Sequence, residues 1–175
     1  MTVNKFHPYV LVLPEDDANR QLAIGFLLDL LTIRQVQVLR PARGWTRVRD
    51  GFAEDHVDGM RLYGERYVVL LIDFDGNINR LHDVKTTIPP DLIDRVFVLG
   101  AWSEPEALRQ DGLGSFETIG MNMARDCRNG TQVTWGHALL RHNEDELIRL
   151  RHAVCGLLFP AVVQAATNAG VIDSA

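Results

Sequence analysis

The sequence predicts an α/β fold, in which a mainly parallel sheet is flanked by helices. Two continuously apolar runs, YVLVL at residues 9–13 and YVVLLI at residues 67–72, are typical of strands buried on both faces. Each run is followed by a segment rich in helix formers, and strands that alternate with helices favour a parallel sheet. Hydrophobic residues make up 46% of the 175 residues, which suffices for one sizeable core.

The first half of the chain gives two strands and two helices. After the strand at 9–13, Pro14 and the acids that follow it suit a helix start, and we expect a helix within 14–33. Residues 35–39 (QVQVL) alternate polar and apolar side chains, as a strand does. We expect 44–51 to form a loop or a bent strand, and 52–64 (FAEDHVDGMRLYG) to form the second helix.

The second half begins with the strongest strand of the chain, YVVLLIDFD at 67–75. A short helix is expected within 77–88, before the turn at Pro89 and Pro90, and a buried strand at 95–100, which Gly100 ends. Three further helices are predicted at 104–110, 115–127 and 144–159. We therefore interpret 1–175 as a single domain with a core at about 8–110 and a helical C-terminal extension at about 115–165.

Composition and charge narrow the class of protein. The formal net charge of -5 argues against a surface that is basic as a whole. Neither Cys127 nor Cys155 belongs to a CxxC pair, so a structural zinc site is not expected, and the low cysteine content suits a reducing compartment. The most apolar stretch, 22–33, is too short for a membrane span, and the N-terminus lacks the apolar core of a signal peptide. We expect a cytoplasmic protein with no membrane association.

Acidic side chains follow two of the predicted strands directly. Glu15, Asp16 and Asp17 come after the first strand, and Asp73 and Asp75 end the strongest one. Because parallel strands place their carboxyl ends at one edge of the sheet, these carboxylates should converge there, and residues two apart in an extended chain point to the same side. Mg²⁺ or Mn²⁺ would relieve the repulsion with oxygen ligands. The alternative, helix capping or simple solvation, stays open, above all for Asp16 and Asp17.

This pattern resembles the TOPRIM domain of topoisomerases, primases and nucleases of the OLD and RNase M5 kinds. Glu15 matches the glutamate after the first strand, and Asp73 and Asp75 match the DxD motif in IDFDG; the resemblance covers about 8–110. Glu104, or Glu106, stands where nuclease members have a third acidic position. The chain departs from the family at Asp16, where glycine is usual, and at Asn19, where nuclease members often carry a second glutamate.

The resemblance implies divalent-metal-dependent phosphodiester chemistry. It assigns catalysis to Glu15, Asp73 and Asp75, and metal binding to these three together with Asp16 and Glu104. One acid, such as Glu15, would act as general acid or base instead of ligand. The resemblance also implies an ATPase or another protein partner, within a defence or repair system. The oligomeric state stays open, a homo-oligomer included.

An arginine-rich segment, RQVQVLRPARGWTRVR at 34–49, contains no acid although the chain is acidic overall. Its arginines could hold phosphates, and its tryptophan could stack on a base. The alternative is an edge strand kept soluble by its arginines. The residues that we assign to nucleic-acid binding are Arg40, Arg43, Arg47, Arg49 and Trp45.

A second resemblance leads to an alternative function. The stretch VLVLPEDDANRQLAIGFLLDLL is also similar to the start of a response-regulator receiver domain, in which Asp73 would accept a phosphoryl group beside Mg²⁺. The only lysines, Lys5 and Lys85, come too early for the lysine that a receiver needs. We therefore expect metal-dependent cleavage of DNA or RNA by a TOPRIM-like nuclease. The alternative is a non-catalytic module that binds metal or a partner, receiver-like or otherwise.

Overall fold

A computed structural model describes residues 7–30 and 33–160, which form a four-stranded parallel sheet covered by helices on both faces. The strands are β1 (Tyr9–Pro14), β2 (Val36–Val38), β3 (Arg66–Leu71) and β4 (Val96–Leu99). Their order across the sheet is β2-β1-β3-β4, and every neighbouring pair is parallel. The predicted α/β class with a parallel sheet is confirmed.

Seven α-helices and three short 3-10 helices connect and cover the strands of the described residues. Most of them lie where the sequence predicts a helix. The α-helices are α1 (Asp17–Leu28), α2 (Trp45–Asp55), α3 (Val57–Leu62), α4 (Asn79–Lys85), α5 (Pro105–Gln110), α6 (Phe116–Asn129) and α7 (Glu144–Leu158). The 3-10 helices are Ile33–Gln35, Pro90–Arg95 and Arg141–Asn143. No helix in the described ranges combines the length and the apolar character that crossing a bilayer requires.

The prediction of a loop or bent strand at 44–51 is wrong, because α2 begins at Trp45. Val48 and Phe52 are completely buried, and with Trp45 they form an apolar stripe at helical spacing. Burial of this stripe against the sheet therefore outweighs the low helix propensity of the β-branched and glycine residues in this segment. The arginines of 43–49 accordingly do not lie on an edge strand. The predicted second helix is also two helices, α2 and α3, which meet at His56.

Alternation along the strands divides the core into two layers. On β1, Val10 and Val12 pack toward α1, α6 and α7, whereas Leu11 and Leu13 pack toward α2, α3 and α4. On β3 the same alternation places Val69 in the layer of α1, α6 and α7, and its neighbours Val68 and Leu70 in the layer of α2, α3 and α4. Both faces of the sheet are thus covered, as continuous apolar runs require. Helices α6 and α7, which we predicted as an extension, contribute buried side chains to one of these layers, beside those of α1 and the strands.

Two glycines allow α1 and α6 to pack with their backbones in contact. A methyl group built on Gly25 would lie 2.2 Å from the carbonyl oxygen of Glu117, and one on Gly120 would lie 2.1 Å from that of Leu22. Neither distance is possible for real atoms, so only hydrogen fits at both positions. Asp29, at the end of α1, also forms ion pairs with Arg125 and Arg128 of α6.

Polar side chains near the start of α7 cover the outer edge of β4. Asn143 accepts a hydrogen bond from the N–H of Gly100 (3.0 Å) and donates one to its carbonyl oxygen (2.8 Å). Glu146, which is 3% exposed, accepts one from the N–H of Val98 (3.1 Å) and pairs with Lys85 and Arg149. These side chains satisfy backbone groups that would otherwise pair with another strand.

The strand order creates a topological switch point between β1 and β3. The chain leaves β1 toward β2 on one side and returns to β3 on the other. In open parallel sheets of this kind, the crevice beyond the carboxyl ends of the two central strands is where ligands bind. The acidic residues that follow β1 and β3 lie at this end of the sheet.

Candidate functional site

Four carboxylates meet beyond the carboxyl ends of β1 and β3, and we call them the acidic cluster. Glu15 and Asp16 follow β1, and Asp73 and Asp75 follow β3. Electrostatic interaction with the other three acids contributes to the pKa of Asp73, so each of them lies within electrostatic range of Asp73. The strands therefore bring together the first acidic motif and the DxD motif, as the sequence predicts.

A buried asparagine joins two of these carboxylates. The Nδ2 of Asn19 donates to Oδ1 of Asp73 (2.9 Å) and to Oδ1 of Asp16 (3.1 Å). Asp16 is also the N-cap of α1, since the same oxygen accepts the backbone N–H of Asn19 at 2.8 Å. Asn19 is 0% exposed, and its Oδ1 has no hydrogen-bond partner. An acceptor left unpaired inside the fold is unusual and calls for a donor or a cation as its partner.

Glu15 holds two backbone amides in place. Its Oε2 accepts the N–H of Asp73 at 2.8 Å, and the N–H of Trp45 also bonds to this carboxylate. Burial raises the pKa of the Glu15 carboxyl, whereas these amides and the charge of Arg80 oppose the shift. Glu15 thus ties the end of β1 to the end of β3 and to the start of α2.

Asp73 is the most perturbed acid of the cluster. The residue is 7% exposed, and burial is the main reason that its pKa rises to about 8. The hydrogen bond from Asn19 lowers the pKa, and the negative charges of Asp16, Glu15 and Asp75 raise it further. A carboxyl group that is buried among other carboxylates either keeps a proton or shares a cation near neutral pH.

Asp75 departs from the expected arrangement. The sequence predicts that Asp73 and Asp75 point to the same side, but the extended chain ends before Asp75, which has a φ of 47°. Its side chain is 54% exposed, and its Oδ2 accepts a hydrogen bond from Nη1 of Arg80 at 2.6 Å. Gly76, with a φ of 68°, continues the turn that reverses the chain.

The arginine-rich segment adjoins the acidic cluster. Residues 39–43 run beside the end of β1, where the N–H of Ala42 bonds to the carbonyl of Pro14 (3.0 Å) and that of Arg43 to the carbonyl of Glu15 (2.7 Å). Arg40, Arg43 and Arg47 are exposed. The ring of Trp45 already has two guanidinium groups near it, those of Arg49 and Arg80, at 5.5 and 5.0 Å from its centre. Arg49 also pairs with Asp50 at 2.7 Å.

Glu104 lies at the same edge of the sheet, at the start of α5, which follows β4. Its side chain is exposed, and among the described residues it forms neither an ion pair nor a side-chain hydrogen bond. Glu106, in the first turn of α5, is exposed as well. The structure therefore places these acids near the correct end of the sheet without joining them to the acidic cluster.

The sequence alone did not identify Asn19 and Arg80 as members of the site. Asn19 stood out only as a departure from the TOPRIM pattern, and Arg80 was one residue of a predicted helix. Both lie near the start of a helix that follows a central strand, α1 after β1 and α4 after β3. Polar residues at that place in the chain are the signal that could have identified them.

The donor set suits a cation with few protein ligands. Among residues 7–30 and 33–160, no three His, Cys, Asp or Glu side chains are grouped closely enough to hold a metal ion. Glu15 is bonded to amides and Asp75 to Arg80, whereas Oδ2 of Asp16 and Oδ2 of Asp73 form no hydrogen bond with the described chain. Mg²⁺ is commonly held by one or two carboxylates and keeps several waters, so these two acids fit it.

Comparisons of the chain with protein-family models, with curated proteins and with solved structures find no match. The geometry of the carboxyl ends of β1 and β3 is therefore the basis on which a function can be proposed.

Proposed function

We propose that this protein is a divalent-metal-dependent enzyme that hydrolyses phosphodiester bonds in DNA or RNA. The observation that carries the proposal is the pair of carboxylates, Asp16 and Asp73, bridged at the switch point by a fully buried Asn19 with an unpaired Oδ1. Asp16 and Asp73 would hold a cation that offsets their repulsion, and Oδ1 of Asn19 is an acceptor available to a donor of the ligand. Mg²⁺ and Mn²⁺ are the cations that this oxygen-rich set favours.

The residues of the site would have different roles in hydrolysis. With the cation held by Asp16 and Asp73, the chemistry supplied there would be activation of a water and stabilisation of the negative charge that develops on the phosphate. Glu15 positions the loop that carries Asp73, and its raised pKa brings it closer to the range in which a side chain exchanges protons near neutral pH. Arg40, Arg43 and Arg47 would contact the phosphates of a nucleic acid beside the site.

A TOPRIM-like assignment is part of this proposal. An acid after β1 and the DxD motif after β3, brought to one edge of a parallel sheet, support it. From the resemblance we also propose an ATPase or another protein partner and a defence or repair role, and from the cysteine content we propose a cytoplasmic location.

The first test is thermal unfolding with and without Mg²⁺ and Mn²⁺. A cation at ten times its Kd stabilises the folded state by about 1.4 kcal/mol, and we expect the Tm to rise by about 3–6 °C. The rise should disappear in Asp73→Asn and shrink in Asp16→Asn. It should persist in Asp91→Asn, which removes a carboxylate paired with Arg61 (3.0 Å) before β4, at the opposite end of the sheet.

Hydrolysis is then measured on single-stranded and duplex DNA and RNA with the same variants. Metal-dependent cleavage that Asp73→Asn abolishes and Asp91→Asn retains is the expected result. No rise in the Tm of the parent at millimolar metal would contradict the proposal at its first step.

A second function is favoured because two of the expected metal ligands already have hydrogen-bond partners within the protein. Because Glu15 is bonded to backbone amides and Asp75 to Arg80, fewer carboxylates are free than metal-dependent hydrolysis usually employs. A non-catalytic module that binds a cation or a partner, receiver-like or otherwise, is consistent with that arrangement. A metal-dependent rise in Tm without cleavage of any of the four substrates would support it.

A further inference from the structure

Arg80 lies at the centre of the contacts around the DxD motif. It belongs to the first turn of α4, and its side chain is 11% exposed. One nitrogen, Nη1, donates to Oδ2 of Asp75 and to the carbonyl oxygen of Asp73, both at 2.6 Å. The guanidinium also lies over the ring of Trp45, 5.0 Å from its centre. The side chain is thus held from two directions by groups of the site itself.

These contacts leave one edge of the guanidinium without a partner. The Nε of Arg80 is buried and has no hydrogen bond, and Nη2 has none with the described part of the chain. Nε–H and one N–H of Nη2 project in parallel from the same edge of a guanidinium. This pair of donors matches two oxygens of one carboxylate or phosphate group. A buried, charged donor without an acceptor in the protein is unusual, and an oxyanion of a ligand is an acceptor that fits it.

Asn19 and Arg80, which both donate to Asp73, have unpaired groups with opposite requirements. Oδ1 of Asn19 is a buried acceptor, which calls for a cation or a water, whereas the free edge of Arg80 is a donor pair, which calls for an oxyanion. The exposed guanidinium groups of Arg40, Arg43 and Arg47 come from the segment that is bonded to β1 and Glu15. A phosphate accompanied by a divalent cation meets both requirements.

We propose that the Nε–Nη2 edge of Arg80 binds a phosphate oxyanion of the ligand, beside the cation on Asp16 and Asp73. The inference rests on the proposed function in that it identifies this phosphate with the phosphodiester group of the substrate. Arg80 would then have two roles, since Nη1 holds the DxD turn and the opposite edge binds the ligand.

The experiment compares Arg80→Gln and Arg80→Lys with Arg61→Gln. Arg61 also pairs with an aspartate, Asp91, but lies at the opposite end of the sheet, so its variant is the matched control. Binding of inorganic phosphate and of fluorescent twelve-nucleotide DNA and RNA strands is measured in Mg²⁺. The Tm of each variant is measured with and without Mg²⁺.

Arg80→Gln should weaken phosphate and oligonucleotide binding by about tenfold or more while the Mg²⁺-dependent rise in Tm persists. Arg80→Lys keeps the charge but has no paired donors, so it should bind with intermediate affinity and remain informative if the glutamine variant does not fold. Arg61→Gln should bind like the parent. Binding of oligonucleotides identifies a nucleic-acid source of the phosphate, and binding of inorganic phosphate alone identifies a small phosphorylated ligand.

Two outcomes would overturn the inference about Arg80. One is unchanged phosphate and oligonucleotide binding in both Arg80 variants. The other is a joint loss of binding and of the Mg²⁺ effect in Arg80→Lys, which would limit Arg80 to supporting the DxD turn. A third outcome separates the two proposals. If Mg²⁺ does not raise the Tm of the parent, but the parent binds phosphate and the Arg80 variants do not, the inference is supported and the proposed function is contradicted.

Discussion

At Asp73, burial and neighbouring charge act on the same carboxyl group. The alternation of β3 directs odd-numbered residues toward α1, which is why Asp73 meets Asn19. On β1, the alternation directs even-numbered residues toward the same face, so Asp16 joins them while Glu15 faces the side of α2. One residue of difference along the chain therefore decides which acids share the asparagine and which one binds backbone amides.

The raised pKa of Asp73 makes the stability of the metal-free protein depend on pH. Because the folded-state pKa, about 8, lies above the ordinary value of 3.8, the folded protein binds this proton more tightly than the unfolded chain does. The stabilisation is complete below about pH 4 and is lost as the pH rises through about 8. We expect the free energy of unfolding to fall between pH 5 and 8.5 by up to about 1.4 kcal/mol per pH unit from this group.

Denaturant unfolding of the parent and of Asp73→Asn, without metal, measures this contribution. The variant should show a shallower fall, with a remainder from Glu15, whose pKa is also raised. Asp91→Asn is the control, because Arg61 lowers the pKa of Asp91 and this group is already ionised throughout the range. Equal slopes in the parent and Asp73→Asn would show that Asp73 is ionised in the folded protein.

At the scale of elements, the contact between α1 and α6 fixes the position of the site. Asn19 belongs to α1, and that helix is held on the sheet from outside by α6 through Gly25 and Gly120. Helix packing at backbone distance leaves no space for side chains between the helices, so any added atom must displace one of them. A displacement of α1 would also move the amide that joins Asp16 to Asp73.

Gly120→Ala should therefore destabilise the protein by about 1–3 kcal/mol, the usual cost of overpacking. Gly51→Ala is the matched control, since Gly51 lies inside α2 with open space where a methyl group would go. That control should stabilise the protein by about 0.5–1 kcal/mol, because alanine favours the helix. Denaturant unfolding measures both, and a Gly120→Ala variant as stable as Gly51→Ala would mean that the helices adjust freely.

At the scale of the whole molecule, α6 and α7 complete the core. Phe116, Ile119 and Met123 of α6 and Leu147, Leu150 and Val154 of α7 belong to the layer that covers Val10, Val12 and Val69. In addition, the chain around the start of α7 covers the open edge of β4. Together with α1 these helices cover one face of the sheet, and the chain around the start of α7 covers one of its edges, so the stability of the sheet depends on them.

A chain that ends at Gly112 should accordingly lose its cooperative unfolding. It would lose the apolar layer that α6 and α7 add over α1 and the sheet, and it would expose the edge of β4. Burial of such apolar surface is a large part of the driving force for folding. Thermal unfolding followed by near-UV circular dichroism measures this directly against the full chain. A cooperative transition in the shortened chain would establish that 115–165 is a separable extension.

The sequence by itself determined the α/β class, the four strands and the arrival of two acidic motifs at one end of the sheet. Continuous apolar runs such as 67–72 can be stable only when both faces are covered, and a parallel sheet then places the residues that follow them together. Five of the helices also follow from local signals, among them α1, whose start is marked by Asp16. These properties depend on residues that are close together in the chain, so they can be predicted from the sequence.

Only the tertiary structure decided what each carboxylate binds. Asn19 and Asp73 are 54 residues apart, and Glu15 and the amide of Asp73 are 58 apart. The helical state of 45–55 was decided in the same way, because the burial of Val48 and Phe52 against the sheet outweighs the local preference of the segment. Hydrogen-bond partners, burial and pKa depend on distances of a few ångströms between remote segments, and these are set by packing.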